Sequence, residues 1–186
     1  MSTPPPVDQP NQDLNQALNA LLATPLQVQA QYIKDLSFEN PRVLEILGKG
    51  LTTPPQLSVN IEVQAQGVGE NHFEVILNTH VKATGAPNGD QKKENKKGEK
   101  ESDDLFFLIE LSYGGVFSLP KLPAEILKPF LLIECPRLLF PFVRGIISDI
   151  TKDSGLPPVL LAPVNFLELY EKGAQVSKDA EGAPKP

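Results

Sequence analysis

Leu105–Pro120 reads LFFLIELSYGGVFSLP, and two later stretches, Leu132–Ile150 (LIECPRLLFPFVRGIISDI) and Leu156–Tyr170 (LPPVLLAPVNFLELY), complete the part of the chain that decides the fold. The first has strand periodicity. Phe107, Ile109, Leu111 and Tyr113 share one side, and Phe106, Leu108, Glu110 and Ser112 the other. The wholly apolar side requires a cover. Gly114-Gly115 reads as the turn that ends this strand. The second stretch is helical, with Leu139, Val143, Ile146, Ile147 and Ile150 in a wide apolar stripe, Arg137, Arg144 and Ser148 opposite, and Lys152 and Gly155 at its end. Pro129, Pro136 and Pro141 each remove an amide donor and oppose the preceding turn, which predicts a kinked helix or two consecutive pieces. In the third, Asn165 followed by Glu168 fits a reciprocal N-cap, with Val164 and Leu169 as its hydrophobic staple. A final helix from Phe166 to about Ala174 follows.

Upstream, the pattern is mostly β. Leu26, Val28, Ala30 and Tyr32 alternate with glutamines. The alternation breaks at Ile33–Asp35 and resumes at Leu36 and Phe38, as a bulge or bend would make it do. A connection over residues 40–55 holds one helical turn near Pro41–Leu47. Leu57, Val59, Ile61, Val63 and Ala65 then form a strand, turning at Gly67–Asn71 into a partner that carries Phe73, Val75, Leu77, Thr79, Val81 and Ala83. Four strands in meander-like order followed by two helices predict an α+β fold with one four-stranded antiparallel sheet. Residues 1–24 are an N-terminal extension, whose Leu14, Ala17, Leu18, Leu21 and Leu22 fit a short helix at Gln12–Ala23. That helix either packs as an accessory or covers an apolar groove. Residues 25–172 form the domain, 85–104 an inserted disordered charged loop, and 173–186 a disordered tail.

The charges exclude some partners. A net charge of −6 disfavours nucleic acid, which needs a concentrated basic surface, and favours a basic protein partner. The five lysines of the 85–104 loop are interleaved with six acids and no aromatic residue, so that loop is a solvated surface. The N-terminus lacks a basic segment followed by an apolar one, and the apolar run Leu131–Val143 is broken by Glu134, Pro136, Arg137 and Pro141. The expectation is a cytoplasmic protein without membrane insertion.

Chemistry-bearing constellations are scarce. His72 and His80 share one strand parity with Glu74 between them. Eight strand residues put the histidines about 26 Å apart, too far to share a metal ion, and solvent-facing positions are the reading. Cys135 sits in an apolar helix with no base nearby and reads as a small buried hydrophobe. Gly48-Lys49-Gly50 lacks phosphate-loop spacing, and Ser112 lacks the first glycine of a nucleophile elbow. No enzyme, cofactor or metal is expected. What stands out is apolar surface in loops, including Phe117, Leu119, Leu160, Leu161 and Phe166, to be buried by subunit association, by extended segments of other chains, or by both.

The stretches YIKDLSFENP (Tyr32–Pro41), YGGVFSL (Tyr113–Leu119), CPRLLFPFVR (Cys135–Arg144) and LAPVNF (Leu161–Phe166) give the chain, from about Leu26 to Lys172, a close resemblance to the SecB protein-export chaperones. The resemblance implies a homotetramer, a dimer of dimers, that binds unfolded precursor proteins without ATP and delivers them to the SecA translocation ATPase. It implies SecA docking by Asp35, Glu39, Leu108 and Glu110, and an influence of Ile109, Leu111 and Tyr113 on tetramer assembly. The family's client groove carries no fixed motif; the apolar residues Leu51, Phe117, Phe140, Leu160 and Phe166 are its candidates here. Tyr113 replaces a polar residue of the family and Leu51 a tryptophan. The alternative is a SecB-like chaperone for a dedicated partner such as an antitoxin, without SecA docking.

Overall fold

The computed structural model describes residues 26–49, 54–85 and 105–181. The Gln12–Ala23 segment, Leu51 and residues 86–104 of the charged loop lie outside the described residues. In chain order the elements are β1 (Gln27–Glu39), α1 (Val43–Lys49), β2 (Gln56–Gly69), β3 (His72–Thr84), β4 (Leu105–Ser118), α2 (Ala124–Pro129), a π-helical turn (Phe130–Glu134), α3 (Cys135–Asp153) and α4 (Phe166–Glu181).

The strands form one antiparallel sheet in the order β1-β4-β3-β2. A meander therefore holds only for β2, β3 and β4. The first strand adds beside β4 instead of β2, a Greek-key order when read from the C-terminal end. The connection over residues 40–55 makes this possible, since crossing three strand spacings takes only about 14 Å. The β2–β3 hairpin closes at Asn71, whose φ of 57° is the left-handed conformation that asparagine tolerates better than most residues.

Parity on β4 follows the pattern read from the sequence. Phe107, Ile109, Leu111 and Tyr113 are buried on the side where α3 lies over β3 and β4. The Gly114-Gly115 pair does not turn: β4 runs straight through it to Ser118. Successive residues face opposite sides of a strand, so each glycine clears one side. A Cβ at Gly115 would meet Leu139 Cδ2 of α3 at 2.7 Å, and one at Gly114 would meet Tyr32 Cζ at 2.9 Å. These glycines serve close approach on both faces.

The first strand also needs a correction. A bulge lies where the alternation breaks, between Ile33 and Asp35, and a second separates Val28 from Ala30. The expected Leu26–Tyr32 stripe is split: Val28 pairs with Phe117 of the helix side, whereas Ala30 and Tyr32 pair with Val116 and Gly114 of the other.

The prolines produce a continuous helical run from Ala124 to Asp153 with a π turn just before Pro136. Widening the helix there accommodates a residue that cannot donate to the preceding turn. Leu139, Val143 and Ile147 of the expected stripe are buried, and so are Cys135 and Thr151. A Schellman motif ends α3: Gly155, at φ 82°, donates to Lys152 O at 3.1 Å and Leu156 N to Thr151 O at 3.2 Å. Thr151 Oγ1 accepts from Val159 N at 2.9 Å and donates to Ile147 O at 2.8 Å, which fastens the loop after α3 to the helix. At α4 the cap of Asn165 and Glu168 is present, with Glu168 N donating to Asn165 Oδ1 at 3.4 Å and Asn165 Nδ2 to Glu168 Oε1 at 2.8 Å. Past Ala174 the chain stays helical to Glu181, because Ala174, Gln175, Lys178 and Ala180 are good helix formers. The tail expected from residue 173 is therefore helical up to that point.

Candidate functional site

Among the described residues the sheet has one face under the helices and one open face, and the cross-strand register assigns each paired residue to one or the other. Asp35 lies opposite Ser112, Ser37 opposite Glu110, and Glu39 opposite Leu108. Asp35, Glu39, Leu108 and Glu110 thus share the open face. Asp35, Glu39 and Glu110 are exposed and Leu108 is half-buried. The two acids of β1 are four residues apart, about 13 Å, and Glu110 is the diagonal neighbour of both. Diagonal neighbours lie about 7–8 Å apart. Three carboxylates in a row, with Leu108 at the Glu39 end, suit a basic partner that also makes one apolar contact. Glu110 is held loosely, by Ser37 Oγ at 3.4 Å and His80 Nδ1 at 3.3 Å. His72 and His80 are both exposed, on this same face.

Ile109, Leu111 and Tyr113 lie on the covered face, and within one chain they are 0%, 1% and 7% exposed. Tyr113 stacks on Phe142 of α3 at 6.1 Å and donates to Gln31 Oε1 at 3.2 Å. Around it the apolar surface is open: Ile33 and Leu36 of β1 and Leu138 and Phe142 of α3 are exposed.

The candidate groove residues do not gather in one place. Leu51 lies outside the described residues, Phe117 is sealed in the core, and Leu160 is exposed. Phe140 and Phe166 are buried and meet edge to face at 5.9 Å. They line a hollow of ≈ 280 Å³ with Pro163, Val164, Arg137 and Arg144. A larger groove, of ≈ 680 Å³, runs between β2, the π turn and α4 and is lined by Ile61, Val63, Leu132, Leu169 and Tyr170 with Lys128 and Lys172. The sequence offered no local signal for it, because its walls come from three distant segments.

One polar cluster was also missed. Glu74, read as solvent-facing with the histidines, is only 6% exposed. Tyr32 donates to its Oε1, Lys34 Nζ lies 3.0 Å from Oε1 and 3.2 Å from Oε2, and Gln66 Nε2 donates to Oε2 at 2.5 Å. The bond to Glu74 pushes the Tyr32 phenol up to about 12. Glu74 is held below the ordinary carboxylate range, first by the bond from Tyr32 and then by Lys34 and Gln66, against the opposing effect of burial. Glu74's shared parity with two exposed histidines hid it, since parity shows the face and not the neighbours. Cys135 is 0% exposed, and burial pushes its thiol up to about 12, leaving a protonated, unreactive group. Among the described residues no group of acids, histidines and cysteine is placed to hold a metal ion, and no helix is long and apolar enough to cross a membrane.

A two-faced antiparallel sheet with helices on one side and carboxylates on its open face defines an α+β protein built to present a flat sheet surface. Residues 20–177 match the family model of SecB, preprotein translocase subunit. The chain is 42% identical to the protein-export protein SecB of Maricaulis maris, covering 95% of this chain and 91% of that one. It is 42% identical to the same-named protein of Gluconacetobacter diazotrophicus, covering 91% of each, and 43% identical to that of Paramagnetospirillum magneticum, covering 84% and 90%. Among solved structures it resembles a SecB-like chaperone of Mycobacterium tuberculosis in complex with a peptide from an antitoxin, with a TM-score of 0.55, 13% identity and coverage of 80% and 96%. That last likeness concerns the fold. The chain belongs to the SecB family.

Proposed function

We propose that this protein is an ATP-independent holdase of protein export, which binds unfolded precursor chains, keeps them translocation-competent and passes them to SecA. The observation that carries this reading is the family match together with 42% identity to a protein-export SecB over 95% of the chain. Binding only the unfolded chain withdraws it from folding and aggregation by mass action, so no nucleotide is required. The SecA-docking patch is Asp35, Glu39, Leu108 and Glu110. Its support is that the register gathers all four on one face that no helix among the described residues covers. This patch also favours export over service to a dedicated antitoxin-like partner.

The working form in this reading is a cytoplasmic homotetramer, a dimer of dimers. Support comes from β1, a 13-residue edge strand, and from the exposed Ile33, Leu36, Leu138 and Phe142 beside it. An unpaired edge next to apolar surface invites a second copy. Ile109, Leu111 and Tyr113 act on assembly from beneath, by fixing the α3 side chains that the partner copy meets. Clients bind the β2–α4 groove and the exposed Leu160, with Phe140 and Phe166 as supporting side chains and Phe117 as core beneath. Several such weak sites on one tetramer add avidity.

Calorimetry with a urea-unfolded, signal-bearing precursor and no nucleotide tests the holdase activity. Saturable binding of the unfolded but not the folded precursor is expected. Binding of neither form would leave a family member without client capture and end this reading. SecA titration of Glu110→Lys tests the docking patch. Loss of SecA affinity with client capture retained is expected, and equal loss of both would move the patch elsewhere.

A further inference from the structure

Glu74 is the only buried carboxylate among the described residues, and its neighbours come from the whole width of the sheet. Tyr32 and Lys34 reach it from β1 and Gln66 from β2, while Glu74 itself stands on β3. The remaining strand, β4, contributes a gap. To reach β3 from β1, Tyr32 must cross β4, and it does so over Gly114, where a Cβ would lie 2.9 Å from Cζ and 3.0 Å from Cε2. Only glycine leaves room for that crossing.

The position along β1 matters as much as the contacts. Lys34 is the residue at the bulge, and Asp35 follows it directly. Strand side chains alternate, so slipping β1 by one residue would send Asp35, Ser37 and Glu39 to the helix side and bring Leu36 and Phe38 to the open face. Apolar burial opposes that slip through Phe38, whose ring lies 6.3 Å from that of Phe107, but only weakly nearer the bulge, where Ile33 is 48% and Leu36 39% exposed. A polar anchor at the bulge supplies the missing specification.

We infer that Tyr32, Lys34, Gln66 and Gly114, gathered on Glu74, are positioning residues of the acidic docking patch, holding Asp35 and Glu39 in register with Leu108 and Glu110. The inference rests on the docking reading above. None of these residues belongs to the patch itself, and none lies on the helix-covered face.

The test uses the full-length protein and compares Tyr32→Phe, Gly114→Ala and Lys34→Arg with Glu110→Lys. Three quantities are measured: amide hydrogen exchange along β1, SecA affinity, and capture of an unfolded precursor. Tyr32→Phe removes one hydroxyl. Gly114→Ala removes no polar group but drives the ring off its path. Both should speed exchange at residues 35–39 and weaken SecA binding roughly tenfold, with capture retained. Lys34→Arg keeps a charged donor and should match the parent. Tyr32→Phe combined with Glu74→Gln should be no worse than the stronger single change, because both break one contact. Parent-like exchange and SecA affinity in both Tyr32→Phe and Gly114→Ala would overturn the inference even where Glu110→Lys abolishes SecA binding. If Glu110→Lys binds SecA like the parent, the docking reading falls. Faster exchange would then leave a register anchor without a docking role, which overturns the inference as well.

Discussion

Within β4, Ile109, Leu111 and Tyr113 point to one side of the sheet and Leu108, Glu110 and Ser112 to the other, and the two sets meet different chemistry. The first set packs under α3 with Val75, Leu77, Val81, Leu139, Val143 and Ile147 in a dry cluster. The second meets side chains that hydrogen-bond across the strands: Ser112 Oγ donates to Asn78 Oδ1 at 2.7 Å, and Glu110 is reached by Ser37 and His80. On the covered face position is set by shape, so one methylene counts. On the open face it is set by partners, so the loss of one donor counts and most exposed substitutions do not. One strand therefore carries a packed face and a polar, exposed face at alternate residues, and in the docking reading the second face is the one that recognises SecA.

The largest effect that separates the faces belongs to the covered one. Leu111→Ala, at a residue 1% exposed, should cost about 2–5 kcal/mol through lost transfer energy and the cavity left behind. Urea unfolding measures it. A cost below about 1 kcal/mol would mean that the two faces are not energetically distinct.

Most of this division was legible in the sequence, for a definite reason. A period of two is a local property, so the parity of β4 and the bulge at Ile33–Asp35 could be read from neighbouring residues. The helical stripe and the cap at Asn165 and Glu168 are local in the same way. What failed was long-range. Nothing near Gly114-Gly115 announces a ring crossing on one side and a leucine pressing on the other, so the pair looked like a turn. Strand order likewise depends on where a connection goes, not on its composition. The acidic patch was placed by resemblance, and the parity of Leu108 and Glu110 agreed with it. The Glu74 cluster draws on three strands up to 42 residues apart, beyond the reach of periodicity.

The next effect lies on the open face at Glu74, the one buried charge among the described residues. Tyr32→Phe should cost about 1–3 kcal/mol, because it deprives a buried carboxylate of its principal donor. The same cluster sets a pH dependence. Glu74 has its pKa lowered by folding, so its stabilisation is fully present above the ordinary value of 4.5 and is lost as pH falls below that value through the folded one. Urea midpoints of the parent should therefore drop with acid more steeply than those of Glu74→Gln. Parallel curves would show that Glu74 is not what acid disrupts.

A smaller effect of opposite sign comes from the covered face. Thr79 is 1% exposed, and its hydroxyl has no hydrogen-bond partner among the described residues. Its cross-strand neighbours are Ile61 and Leu111. Thr79→Val keeps the shape and removes the unsatisfied oxygen, so it should raise stability by about 1 kcal/mol. Loss of stability would mean that the hydroxyl finds a partner, in an assembled oligomer or in water, and that this face is less dry than its packing suggests.

The smallest expected stability effect is at Glu110, next to Leu111 in the chain and on the opposite face. Its side chain is 47% exposed, and its His80 partner is 48% exposed. An exposed pair of this kind contributes little, and Glu110→Ala should change unfolding by less than about 0.5 kcal/mol. If the patch works as proposed, the same variant should slow association with SecA and flatten its dependence on salt, since an exposed charge acts mainly on the encounter. The near-silent residue for folding is then the sensitive one for docking. Its neighbour Leu111 is the reverse, which is what an alternating strand with one dry and one wet face demands.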